Sequence, residues 1–455
     1  MTLPVEALQA AVERGVRAAQ RAGAEDAEVY LWSARSWETR EAGRLRTVQE
    51  SDGSGVNVRV RVDGRRVSVI SSGLRDEDIT WAVERAVSLA RLMPRSDTPW
   101  HLPTPEESSA PPTPVDRELT NPRVDRLLGV VEESLRVFDA APWIDYRAGA
   151  LITSEGTFVV GNTNGLLAWD RHAHESFTCE LRAEGQGEFR TMTVGLQARR
   201  PVNEAHDIPG ALRSAIELVR VKAQAVPLAS PVNEVVFDSH CAWQLLQGLL
   251  PSFAGNAANA KRSRFASQVG AVVASEAFTL TDDSSDPTSI RCYRYDDQGS
   301  PSQGALPLVE RGILRNHVHD LSSALQAGAA PTGHGLRGAV GRYVQPPKTT
   351  VANARVAPGD HTLQELVETC EKGVLVEGGL LGHFTLNSVT GDFSCTAPLA
   401  HLVERGRVTA PLKPVTLGGN LFDLLREVRA LGRDLQRFSR GACPSVRAGG
   451  LTAST

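Results

Sequence analysis

The chain has 11 histidines, and their spacing is the first test of chemistry, because zincin-type peptide hydrolysis needs two of them on one helix with a glutamate between to activate a metal-bound water. No histidine here has a second one four or five residues later. The one His-Glu pair, His174-Glu175, is followed by Thr178 and Cys179 where the second ligand would stand, in a segment that reads as strand. Two His-x-His pairs, His172 with His174 and His317 with His319, project to one side of a strand and would chelate a metal only with a third ligand from elsewhere. The simpler reading of both is half-exposed strand histidines.

Other chemistries find no motif. Acidic clusters at Asp282, Asp283, Asp286 and at Asp296-Asp297 lack the glycine and terminal glutamate of a calcium loop, and aspartates that bond their own backbone in turns account for them. There is no Gly-x-x-x-x-Gly-Lys phosphate loop and no Gly-x-Ser-x-Gly elbow. A site rebuilt from His240, Cys241, His334 or His383 remains open. His240 and Cys241 begin a helix, where the positive helix end favours a thiolate, although a lone cysteine is more often a small buried apolar residue.

The elements that must position any site fall into two groups. At 455 residues the chain exceeds the size of one hydrophobic core, so two domains are expected. Leu8, Ala11, Val12, Val16 and Ala19 mark an opening helix that Gly23 stops. Val56, Val58, Val60 and Val62 alternate, Asp63-Gly64 is a type I′ turn signal, and Val67 and Val69 return as the second strand of a hairpin. Asp76 reads as the N-cap of a second helix that ends before Pro94.

Eight of the 26 prolines lie from Pro94 to Pro122, a crossing segment that can be neither helix nor central strand. A third helix starts with Pro122 in its first turn. Turn signals at Glu155-Gly156, Asn164-Gly165 and Glu184-Gly185 divide residues 144–198 into a meander, and a fourth helix spans about 207–225. The expected boundary near Pro227 separates an N-terminal domain, 1–226, of helices on antiparallel sheet from a C-terminal domain, 227–455. The latter opens with the strand Val235-Val236-Phe237 and a helix from about Ser239 to Leu250. Short runs such as Gly312-Ile313-Leu314 and His383-Phe384-Thr385-Leu386 then suit a twisted antiparallel sheet or barrel. The fold class is α+β.

Composition excludes several partners. With 41% hydrophobic and 22% charged residues and a net charge of −4, the chain is ordinary globular protein with no basic run to track a phosphate backbone. No nucleic acid is expected. No apolar segment approaches a membrane span, the N-terminus has no signal-peptide core, and six cysteines lie far apart with no Cys-x-x-Cys, so a cytoplasmic location is expected.

A series of landmarks is more specific. Ser54-Gly55-Val56 with Arg59, Asp63-Gly64-Arg65, Tyr295-Asp296-Asp297-Gln298-Gly299, the run from Leu308 to Leu314, Thr332-Gly333-His334-Gly335-Leu336-Arg337 and Gly418-Gly419-Asn420-Leu421 occur in order along nearly the whole chain. In this the sequence resembles the TldD/PmbA family, once called modulators of DNA gyrase.

The resemblance implies a cytosolic zinc metallopeptidase built from two homologues. The TldD type carries a His-Glu-x-x-x-His helix; the TldE/PmbA type has the same fold without it. Counting back from Ser263-Arg264-Phe265 places that motif on Leu246-Gln247-Gly248-Leu249-Leu250-Pro251. Leu246 and Pro251 cannot ligate a metal, and the Gln247 amide cannot take up a proton as a general base does. The family's zinc branch also uses a C-terminal cysteine, but the surroundings of Cys443 do not match.

The resemblance therefore implies a TldE/PmbA-like subunit with no catalytic residue, metal or other cofactor of its own. It would pair with a zinc-bearing TldD-like homologue around extended peptides, unfolded chains or leader peptides. Gln247, Asp296, His334 and Arg337 are the substrate-lining residues these landmarks suggest. A self-sufficient hydrolase and a peptide-binding homodimer are the alternatives.

Overall fold

The computed structural model describes residues 3–42, 45–96, 100–105, 113, 115–185, 188–220, 225–338 and 342–455. Its first half is one antiparallel sheet backed by helices. The strands are β1 (Asp26–Ala42), β2 (Leu45–Val62), β3 (Arg65–Ser72), β4 (Ile144–Asn162), β5 (Leu167–Gly185) and β6 (Glu188–Ala198), in the order β3-β2-β1-β4-β5-β6. The expected hairpin is the β2–β3 pair, and Asp63 and Gly64 both take positive φ, as a type I′ turn requires.

Alternation along β1 decides what each face does. Ala27, Val29 and Leu31 pack beneath helices α1 (Val5–Arg21) and α2 (Asp76–Ala90). Farther along the same face, Trp37, Leu151, Phe177 and Leu181 pack under α3 (Val124–Leu135) and α4 (Ile208–Val219). The opposite face presents Tyr30, Trp32, Phe158 and Val160, which are covered by Tyr295 and Tyr343 of the second half. β2 runs past its hairpin partner: β3 pairs only with Gly55–Val62 and the Ser54 carbonyl accepts from the Gly73 N–H, so among the described residues the backbone of Leu45–Gly53 bonds to β1 alone.

The second half is mainly strand. One six-stranded sheet runs Ile313–Leu314, Ala305–Glu310, Leu280–Asp283, Ala354–Val356, Gly441–Cys443, Gln436–Phe438. Another runs Arg407–Leu412, Leu399–Glu404, Lys372–Glu377, Val235–Phe237, Val446–Ala448, Val428–Leu431. Pairing is mostly antiparallel, but Val235–Phe237 lies parallel to Lys372–Glu377, and Ala354–Val356 parallel to Gly441–Cys443. The fold is α+β, as expected.

Several local expectations need correction. Gly156 is no turn: it lies within β4, where a Cβ would stand 2.5 Å from the His172 ring and 2.8 Å from Trp32. Asp76 is the first residue of α2 rather than its cap; Asp78 closes the end by accepting from the Arg75 backbone N–H at 3.1 Å. Pro122 precedes the third helix, which begins at Val124. His383–Thr385 is a 3-10 turn after Gly382, whose φ of 78° ends any extended run. In the proline-rich segment, residues 97–99, 106–112 and 114 lie outside the described residues; Leu102 and Pro103 are held by their carbonyls, which accept from Asn164 and Asn162, and the proline-free stretch before Pro122 does form a short helix, Arg117–Thr120, capped by Asp116. Among the described residues no helix is long and apolar enough to cross a membrane.

Candidate functional site

The open face of the first sheet meets residues 290–300, 333–338 and 342–345 of the second half through a buried polar network. Glu28 on β1 accepts from Arg59 of β2 at 3.1 Å and from Arg337 at 3.0 Å. The Arg337 guanidinium lies 4.1 Å from the centre of the Tyr30 ring and donates to the Gln345 carbonyl at 2.7 Å. The Tyr30 hydroxyl donates to Asp297 at 2.8 Å, and the other Asp297 oxygen accepts the Arg337 backbone N–H at 2.7 Å. Burial, then the adjacent Asp297, hold the Tyr30 phenol well above its ordinary value.

Asp296 and His334 belong to the same knot. Asp296 accepts from the backbone N–H groups of Gln298, Ser300 and Gly335, at 2.9, 2.9 and 2.8 Å, tying the two loops together. Burial pushes its carboxyl up to about 7 against the pull of those donors. His334 shares Thr332 at 2.8 Å and faces Asp282 at 3.4 Å. Three of the four residues expected to line a substrate path thus come together, but buried, at 0%, 1% and 3% exposure for Asp296, His334 and Arg337. Gln247 lies apart on α5 (Ser239–Leu249), half-buried.

The network also contains residues that sequence reasoning passed over: Glu28, Tyr30 and, on β2, Asn57, whose amide donates to the Tyr343 carbonyl at 2.8 Å. For Glu28 and Tyr30 the signal was the start of β1, where Glu28, Tyr30 and Trp32 are polar or aromatic while Ala27, Val29 and Leu31 are apolar.

His172 and His174 share one face of β5 and are half-buried, as the simpler reading expected, whereas His317 and His319 are buried, each 8% exposed, and lie outside any strand. The His172 ring stacks on Trp32 at 5.0 Å. Burial, then Arg291, Arg342 and Arg199, bring His174 down to about 4, so both histidines are neutral at pH 7. Burial also lowers His317 and His319. Among the described residues no three His, Cys, Asp or Glu side chains are grouped so as to hold a metal ion. Asp283, Asp286 and Asp296 do bond backbone N–H groups two residues on. Asp282 instead accepts from distant Ala352 and Asn353.

The helix where the resemblance places a metal motif is apolar on its buried side. Asp238 caps α5 by accepting from the Cys241 N–H at 2.7 Å, and Gln244 accepts from the Leu380 N–H at 2.6 Å. Leu246, 6% exposed, lines an apolar cavity of about 30 Å³ with Phe237, Phe278, Val428 and Cys443. Pro251 is exposed in the 3-10 turn Leu250–Phe253. This donor set does not fit zinc. Nor is Cys241 a thiolate: burial, then Asp238, raise its thiol well above the ordinary value despite the helix end.

Residues 231–455 match the sequence profile of the PmbA/TldA metallopeptidase C-terminal domain, and residues 33–90 match PmbA/TldA metallopeptidase domain 1. The chain belongs to the PmbA/TldD metallopeptidase family. A metalloprotease of Methanocaldococcus jannaschii is 24% identical over 421 residues, covering 89% of this chain and 88% of its own. A metalloprotease of Methanothermobacter thermautotrophicus is 26% identical over 424 residues, covering 88% and 86%.

Among solved structures, TldE from Thermococcus kodakarensis superposes with a TM-score of 0.87 at 21% identity, over 98% of this chain and 100% of that one. A Thermotoga maritima protein described as a candidate modulator of a DNA gyrase gives 0.84 at 20% identity, with coverage of 98% and 100%. The PmbA/TldD fold is therefore shared along 98% of the chain.

Proposed function

We propose that this chain is a non-catalytic, TldE/PmbA-like subunit that pairs in the cytoplasm with a zinc-bearing TldD-like homologue. Together they enclose unfolded or leader peptides for cleavage. The observation that carries the reading is α5: its Leu246 side chain is packed into an apolar core, and neither Gln247 nor Pro251 offers a base or a ligand. Zinc then belongs to the partner. The two domains, 1–226 and 227–455, supply wall rather than chemistry.

The outer edge of β2 supports a role in holding chains. Leu45–Gly53 is exposed and bonds only to β1 among the described residues, so its outward N–H and C=O groups can extend the sheet with another strand. Purified separately and then mixed, this protein and its TldD-like homologue are expected to co-elute in size-exclusion chromatography and to cleave unfolded peptides only as the mixture. Separate elution with peptidase activity unchanged on mixing would remove the reading.

A further inference from the structure

Beneath the buried network lies a second cavity, of about 30 Å³, between β5 and the 290–297 segment; Asp170, His172, Arg291, Asp297, Arg337 and Arg342 are among its lining. Its charges do not balance. The Asp297 carboxylate already accepts from Tyr30 and the Arg337 N–H and faces Arg342 at 3.6 Å. Asp170 accepts from Thr113 and from the N–H groups of Arg171 and Arg294.

Arg291 is left over: it forms no ion pair among the described residues, and its Nε–H reaches only the Ser439 carbonyl, at 3.4 Å. Arg337 is 3% exposed, and its Nε–H has no acceptor among the described residues. Burial, then the like charges of Arg342 and Arg440, lower Arg291 to about 10, which still leaves it charged at pH 7. The neutral histidines His172 and His174 contribute nothing to offset it.

We propose that this cavity is a carboxylate-binding site, in which Arg291 and Arg342 hold the α-carboxylate or an acidic side chain of a peptide. Arg291 is partly exposed, so its guanidinium can be reached from solvent, and an anion bound there would offset the like charges around it. The planar fork of arginine matches a carboxylate in two parallel hydrogen bonds. A volume of this size, enough for a water or two, suits one carboxylate group and excludes a bulky anion. Arg342, with 22% of its side chain exposed, marks the way in from solvent.

The inference rests on the peptide-handling reading above and adds a preference within it. Calorimetric titration of the full chain with an alanine-rich hexapeptide, its C-terminal amide, and the amide carrying one internal glutamate separates the two sources of carboxylate. We expect at least tenfold tighter binding of the free acid, or of the glutamate-bearing amide, than of the plain amide. Arg291→Met is expected to erase that preference and to raise the Tm of the peptide-free protein, whereas a merely structural arginine would lower it.

Arg291→Lys, which keeps the charge and loses the fork, should weaken the preference. Equal binding of all three peptides, a preference that survives Arg291→Met, or a Tm rise with inorganic phosphate but none with the acidic peptides would overturn the inference. If the complex with the zinc-bearing homologue forms while the preference is absent, the inference fails and the proposed function stands.

Discussion

The Glu28 carboxylate is shared by two guanidiniums, and with 1% exposure it has no water to replace either. Removing it strands Arg59 and Arg337 against the face of the first sheet. Glu28→Ala is therefore expected to cost about 3–5 kcal/mol, the usual range for breaking a buried pair from one side, read as a lower denaturation midpoint. An unchanged midpoint would show that the network is ornamental.

Asp296 makes a different prediction. Its folded pKa of about 7 lies above the value near 4 of an unfolded aspartate, so between those pH values the folded state holds a proton that the unfolded state has released. Stability from this group is thus fully present below about pH 4 and falls by about 1.4 kcal/mol per pH unit as pH rises towards 7. His174, lowered to about 4, contributes the opposite slope below its ordinary value, so the comparison must be between proteins. Asp296→Asn lacks the aspartate slope, and the stability difference between wild type and variant should shrink steadily from pH 4 to 7. Parallel curves would contradict the assignment.

At the scale of elements, α5 is where the resemblance places the metal motif, and there Leu246 packs among apolar side chains. Restoring the motif with Leu246→His, Gln247→Glu and Pro251→His puts an imidazole into a cavity lined by Phe237, Phe278 and Val428. No surrounding groups are arranged to orient it. The triple variant is expected to lose about 2–3 kcal/mol, as buried polar groups without partners do, and to gain no zinc-dependent cleavage. Robust hydrolysis by that variant alone would show that the helix had kept a working metal cradle.

How legible an element was depended on how purely one force wrote it. The β2–β3 hairpin was plain because Val56, Val58, Val60 and Val62 alternate around a turn that demands positive φ. β1 and the outer half of β2 went unread because residues 33–54 are largely polar: much of that arm is exposed, so no apolar alternation was needed. Asp296, His334 and Arg337 were visible as landmarks, but their partners are mostly backbone N–H groups and side chains far away in sequence, which a pattern along the chain cannot display.

At the scale of the molecule, the helices cover one face of the first sheet, and the second half covers part of the other through buried polar contacts. The long edge of β2 and the surplus Arg291 are two places where this architecture leaves bonding capacity unspent. Both suit a protein that holds an extended chain for another subunit to cut. The most direct measurement is zinc per chain by elemental analysis, with peptidase activity assayed on this protein alone and on its purified complex with a TldD-like homologue. The isolated chain is expected to hold no zinc and to cleave nothing, and the complex to hold one zinc and be active. Stoichiometric metal together with activity in the isolated chain would contradict it.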